Sequence, residues 1–122
     1  MATIKSFTDL EQSRKLAEIL PLESADMHWS KDFDGSWFVD LDAYSSIKLP
    51  KYSVNNVEEY LLPCWSLAAL LDVLPKIHGL KPILDLEECS IQYSGIDLYV
   101  TAGNLVDACY EMIIKLHRLK ML

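Results

Sequence analysis

The chain has 122 residues, enough for one compact domain that hides about two-thirds of its extended surface and too few for two ordinary domains. It is 51% hydrophobic and 24% charged, with four glycines and five prolines, which excludes a disordered, fibrous or low-complexity chain. Eighteen acidic against eleven basic residues leave a net charge of −7, which opposes binding to nucleic acid or to an anionic membrane surface, since both recruit clustered Lys and Arg.

The first residues carry no secretory run, and no window reaches the roughly 18 apolar residues of a spanning helix, so a cytoplasmic protein is expected. Cys64, Cys89 and Cys109 are odd in number and widely spaced; they read as small buried hydrophobes and not as a disulfide, zinc or redox set. Without repeats or a linker, residues 1–122 form a single domain.

In chain order, a helix is predicted over Thr8–Leu20. Thr8 and Glu11 have capping-box spacing, Leu10, Leu16, Ile19 and Leu20 share one side, and Pro21 ends the run. From Met27 to Leu41 the apolar residues alternate around Asp34-Gly35, the pattern of a hairpin. A two-residue turn would put His28 and Ser30 on the face of Val39 and Leu41. A three-residue loop, Phe33-Asp34-Gly35 with Gly35 left-handed, instead sets Trp29 opposite Val39 and Met27 opposite Leu41. Phe38 then points away from Trp37 and Val39, toward the face of Asp40 and Asp42.

Ile47–Val54 predicts a short edge strand limited by Pro50. Pro63 is placed in the first turn of a helix carrying Trp65, Leu67, Ala68, Leu70, Leu71 and Leu74 and stopped by Pro75; apolar around most of its girth, it is expected to be the most buried helix. Ile83–Leu86 predicts a strand with a break at Glu87-Glu88. A two-residue Ser94-Gly95 turn then pairs Tyr93 with Ile96, Ile91 with Leu98 and Cys89 with Val100 on a core face, leaving Ser90, Gln92, Asp97, Tyr99 and Thr101 on a wet one. The last helix is capped by Asn104 and carries an apolar stripe of Leu105, Cys109, Met112, Leu116 and Leu119, widened by Ile113, while Lys115, Arg118 and Lys120 complement the helix dipole. The class is α+β: an antiparallel sheet of hairpins covered on one face by about three helices, including a long C-terminal one.

Chemistry leaves few marks on this chain. His28, His78 and His117 lack ligand spacing. Ser30-x-Asp32-x-Asp34-Gly35 matches half of a calcium loop, but Leu41 stands where the bidentate Glu belongs, so hairpin chemistry is the better reading. The acidic pairs Asp40/Asp42, Glu58/Glu59 and Glu87/Glu88 are not brought into an apolar pocket by any pattern. Ser66 and Cys64 have no activating neighbour, and no glycine-rich phosphate loop exists. No catalytic residue, metal or cofactor is therefore assigned. Trp29, Trp37 and Trp65 are read as core, with Phe38 the exception. The expected function is non-enzymatic binding of a protein partner through an outer sheet face bearing Phe38, Asp40, Asp42 and Tyr99. The alternatives are a small-molecule-binding protein or hydrolase with a pocket between sheet and helices, and an acidic phosphate mimic.

Three segments also carry a resemblance: Leu16–Met27, Pro63–Leu71, and Asn104–Cys109 with Lys115-Leu116-His117. Together they resemble uncharacterised small proteins of gut Bacteroidales and their phages or mobile elements. That resemblance implies a small intracellular accessory protein and assigns no activity or site residue.

Overall fold

The computed structural model describes residues 5–46 and 60–122, and within them the chain is α+β. The described elements are α1 (Leu10–Ala17), β1 (Met27–Lys31), β2 (Trp37–Asp40), β3 (Leu61–Cys64), α2 (Leu67–Val73), β4 (Ile83–Asp85), β5 (Ser90–Tyr93), β6 (Leu98–Thr101) and α3 (Leu105–Arg118). Each hairpin recruits a third strand, giving two antiparallel sheets in the orders β2-β1-β3 and β4-β5-β6. The edge strand read at Ile47–Val54 lies outside the described residues.

The first hairpin has the predicted loop and register. Trp29 faces Val39, the Asp32 amide donates to the Ser36 carbonyl at 2.8 Å, and Gly35 takes φ +87°, which a Cβ would strain. Burial departs from expectation at one end: Met27 is buried, but Leu41 lies past the end of β2 and is 77% exposed. The second hairpin keeps its predicted core face and shifts register by two. Tyr93 pairs with Leu98 and Ile91 with Val100 around a four-residue loop, Ser94 to Asp97. An even shift preserves which side chains share a face, so burial alone does not fix the loop length. Ser90, expected on the wet face, is buried in the central strand between Asp85 and Thr101. The break after β4 is an Asx turn in which the Asp85 carboxylate accepts from the amides of Glu87 and Glu88.

Helix boundaries bring three corrections. Asp9, not Thr8, caps α1: its carboxylate accepts from the Gln12 amide while the Gln12 side chain accepts from the Asp9 amide. Thr8 is instead buried, its hydroxyl sharing a 2.8 Å hydrogen bond with Ser13 and accepting from the Trp65 amide. Pro63 sits in β3 opposite His28, and α2 begins only after the Ser66 cap. A proline at that point is tolerated because β3 is an edge strand. The most buried helix is α3, with Val106, Ala108, Cys109, Met112, Ile113, Ile114 and Leu116 inside, against Ala69 and Leu70 in α2. At roughly 1.5–3 kcal/mol for each large aliphatic side chain removed from water, α3 is the main anchor of the core. It packs between α2 on one side and β5 and β6 on the other, with Leu16, Leu20, Trp65, Ile91 and Tyr93 in the same cluster. The predicted Asn104 cap is present, accepting from the Asp107 amide at 2.8 Å.

Candidate functional site

The four residues read as a contact surface occupy separate places. Phe38, 47% exposed, and Asp40 lie on β2 of the first sheet. Asp42 follows β2, and its backbone carbonyl accepts from His28 Nδ1 at 2.7 Å. Tyr99 lies on β6 of the second sheet, 44% exposed, its hydroxyl 3.4 Å from Glu88 Oε2. Among the described residues no strand pairing joins the two sheets.

Tyr99 is the member that borders a recess. A groove of about 740 Å³ runs between β6 and α3, with Tyr99 to Ala102 on one wall, Asp107, Glu111, Lys115 and Arg118 on the other, and Gln12 at one end. Each wall follows from the local fold. Asp107, Glu111, Lys115 and Arg118 recur at helical spacing beside the apolar stripe, so burial of that stripe against the sheet leaves them along the flank next to β6. The opposite wall is the edge of a sheet. The Ala102 amide donates to the Cys89 carbonyl at 3.2 Å, so by the alternation of an antiparallel ladder Val100 directs its amide and carbonyl toward β5, while the Leu98 amide closes on the Ile96 carbonyl at 3.0 Å. The amides and carbonyls of Tyr99 and Thr101 point outward, into the groove.

The two ends of the helical wall differ in charge state. Asp107 accepts three hydrogen bonds: Oδ1 from Lys5 Nζ and from Gln12 Nε2, both at 2.8 Å, and Oδ2 from Asn104 Nδ2 at 2.9 Å. Burial alone would raise its pKa, but these donors outweigh burial and hold it below the ordinary carboxylate value. For Lys5 burial opposes charge in the same way, and the bonds to Asp107 and Asp9 outweigh it and raise its pKa. At the other end Lys115 and Arg118 form no ion pair with a described residue. The groove thus closes on a hydrogen-bonded clasp at the start of α3, where Lys5 is shared between Asp107 and Asp9, and opens near its end on two cations that pair with no described residue.

The remaining chemical groups are structural where described. Cys64 and Cys109 are buried, which pushes their thiols up to about 11 and about 12, away from nucleophilic thiolates. Ser66 donates to the Asp26 carboxylate and caps α2. In the first loop Asp34 Oδ1 accepts from the Ser36 amide and hydroxyl, bonds that lower its pKa and serve the turn. His28, 6% exposed, donates through Nδ1 to Asp42, while Nε2 stands 4.0 Å from Asp40 Oδ2. Its burial escapes sequence reasoning because it faces the same side as polar Ser30. Lys115 and Arg118 were visible as helix-end cations, and their place on a groove wall requires the sheet to be in position.

No family model, curated protein or solved structure matches the chain.

Proposed function

We propose that this is a small cytoplasmic accessory protein, of the kind its sequence resemblance implies, which acts without catalysis by binding an extended segment of a protein partner between β6 and α3. The observation that carries the reading is the outward-facing backbone of Tyr99 and Thr101 along a groove with a helix as its second wall. An edge strand with free amides and carbonyls is a template for strand addition, in which main-chain bonds give affinity and the facing wall gives specificity. From Asp107 to Arg118 the helix rises about 16 Å, the length of roughly five extended residues. Phe38, Asp40 and Asp42 would form a separate contact on the first sheet.

The test is titration of a nine-residue peptide of alternating valine and threonine, followed by amide hydrogen exchange. Slowed exchange at Tyr99 and Thr101 is expected. The variant Tyr99→Pro, whose missing amide lies on the outer side of an edge strand, keeps the fold and abolishes the effect. Exchange that slows elsewhere, or binding that survives Tyr99→Pro, refutes the reading.

A further inference from the structure

Resting on that reading, we infer that the β6–α3 groove selects an acidic segment, with Lys115 and Arg118 receiving carboxylates from an extended partner. The argument is electrostatic. The whole chain carries −7, so an acidic ligand is repelled by most of its surface, and selectivity for one must come from a local reversal of sign. The last turns of the helical wall supply such a reversal. Asp107 accepts from Lys5, Gln12 and Asn104, but Lys5 is shared with Asp9 at 3.1 Å, so the clasp end keeps one negative charge and an incoming carboxylate is directed to the other end. Glu111 is the one carboxylate on this wall without a described ion pair, and it faces two cations, Lys115 and Arg118, that have none either. On the helical wall these three side chains balance to one positive charge.

Geometry gives the selection a direction. Three residues, Ala102 to Asn104, connect β6 to α3 and turn the chain back, so the cationic turns lie beside the Tyr99 end of the strand and the clasp beside the Thr101 end. Side chains of an added strand alternate between faces, so every second residue of the ligand is directed to the helical wall. Acidic residues at those alternate positions reach Lys115 and Arg118, whereas lysines there meet uncompensated like charge. Arg118 can hold a carboxylate through two parallel N–H donors, and Lys115 acts as a point charge.

The test uses three nine-residue peptides with valine at every second position and glutamate, serine or lysine at the others, titrated into the full chain by isothermal calorimetry with amide exchange as the site readout. The glutamate peptide is expected to bind about tenfold tighter than the serine peptide, as two half-exposed ion pairs would give, and the lysine peptide more weakly than both. The preference shrinks when salt is raised from about 0.05 to 0.5 M. In the variant Lys115→Glu/Arg118→Glu, at exposed helical positions that circular dichroism will show still folded, the order of glutamate and lysine peptides reverses. Equal affinity for all three, with Tyr99 and Thr101 protected, overturns the acidic selection and leaves strand addition standing. Failure of every peptide to protect those amides overturns both. A chain that sediments as a dimer with the same amides already protected assigns the groove to a second copy and overturns the inference, as does tighter binding of a ten-nucleotide single-stranded DNA than of the glutamate peptide.

Discussion

Removing the Asp107 carboxylate, as in Asp107→Ala, tests the clasp that ties the N-terminal segment to α3. Three donors converge on this group, and the Lys5 contact joins positions 102 apart in sequence. The side chains of Lys5 and Asp107 are 25% and 34% exposed, so their ion pair is screened and is valued near the surface range, about 0.5–1 kcal/mol. The two hydrogen bonds from Gln12 and Asn104 add about 0.5–1 kcal/mol each at this exposure. The expected loss is about 2 kcal/mol, or a fall of about 8 °C in Tm for a chain of this length. Its pH dependence has a definite sign. Asp107 has its folded pKa below an unfolded value of about 3.9, so its contribution is present above that value and is lost as the pH falls through the folded one. Lys5 has its folded pKa raised, so its share is present below an unfolded value of about 10.4 and is lost as the pH rises through the folded one. Urea unfolding of wild type and variant at pH 7 and pH 2.5 measures the Asp107 term, and a cycle with Lys5→Ala at pH 7 isolates the coupling of the pair at about 0.5–1 kcal/mol. A difference below about 0.5 kcal/mol at pH 7, against the sum built from these bonds, refutes the reasoning, as does a difference unchanged at pH 2.5.

Trp65 is fully buried with its indole N–H donating to Ser24 Oγ at 2.9 Å, so Trp65→Ala should cost about 3–5 kcal/mol and Trp65→Phe distinctly less, read from denaturant midpoints. Equal losses for the two would mean that volume is not what the site demands. Cys64 and Cys109 should resist iodoacetamide at pH 8 in the folded chain and react on unfolding, because burial keeps both thiols protonated and covered. Mass spectrometry showing either residue alkylated without denaturant contradicts that account.

How far the fold could be read from the sequence depended on whether one local rule decided the outcome. Gly35 and the alternation of Met27, Trp29, Val39 and Leu41 left one consistent loop, and the Trp29–Val39 register is the one observed. Around Gly95 the same reasoning fixed the face and not the count, because pairing Tyr93 with Ile96 or with Leu98 buries the same set of side chains. Thr8 and Asp9 both offered cap chemistry; tertiary burial of Thr8 against Ser13 and Trp65 decided between them. Pro63 fitted a helix start by spacing, and pairing with His28 across β1 overrode it. The division into two sheets was invisible because it depends on where β3 and β4 add, which hairpin patterns do not encode. Of the candidate site, only Tyr99 was singled out. The groove draws on positions 12, 99 to 102 and 107 to 118, and the charges of α3 already had a sufficient local explanation in the helix dipole.

The clasp and the core place a constraint on synthesis. Residues 6 to 8 hydrogen-bond to residues 65 to 67, Lys5 closes on Asp107, and Leu16 packs in the cluster dominated by α3. A nascent chain emerging at about 5–20 residues per second therefore holds α1 outside the ribosome for about 5–20 s before its docking site exists. During that interval its apolar side is open to chaperones, and a ribosome stalled before α3 would release a product unable to bury it.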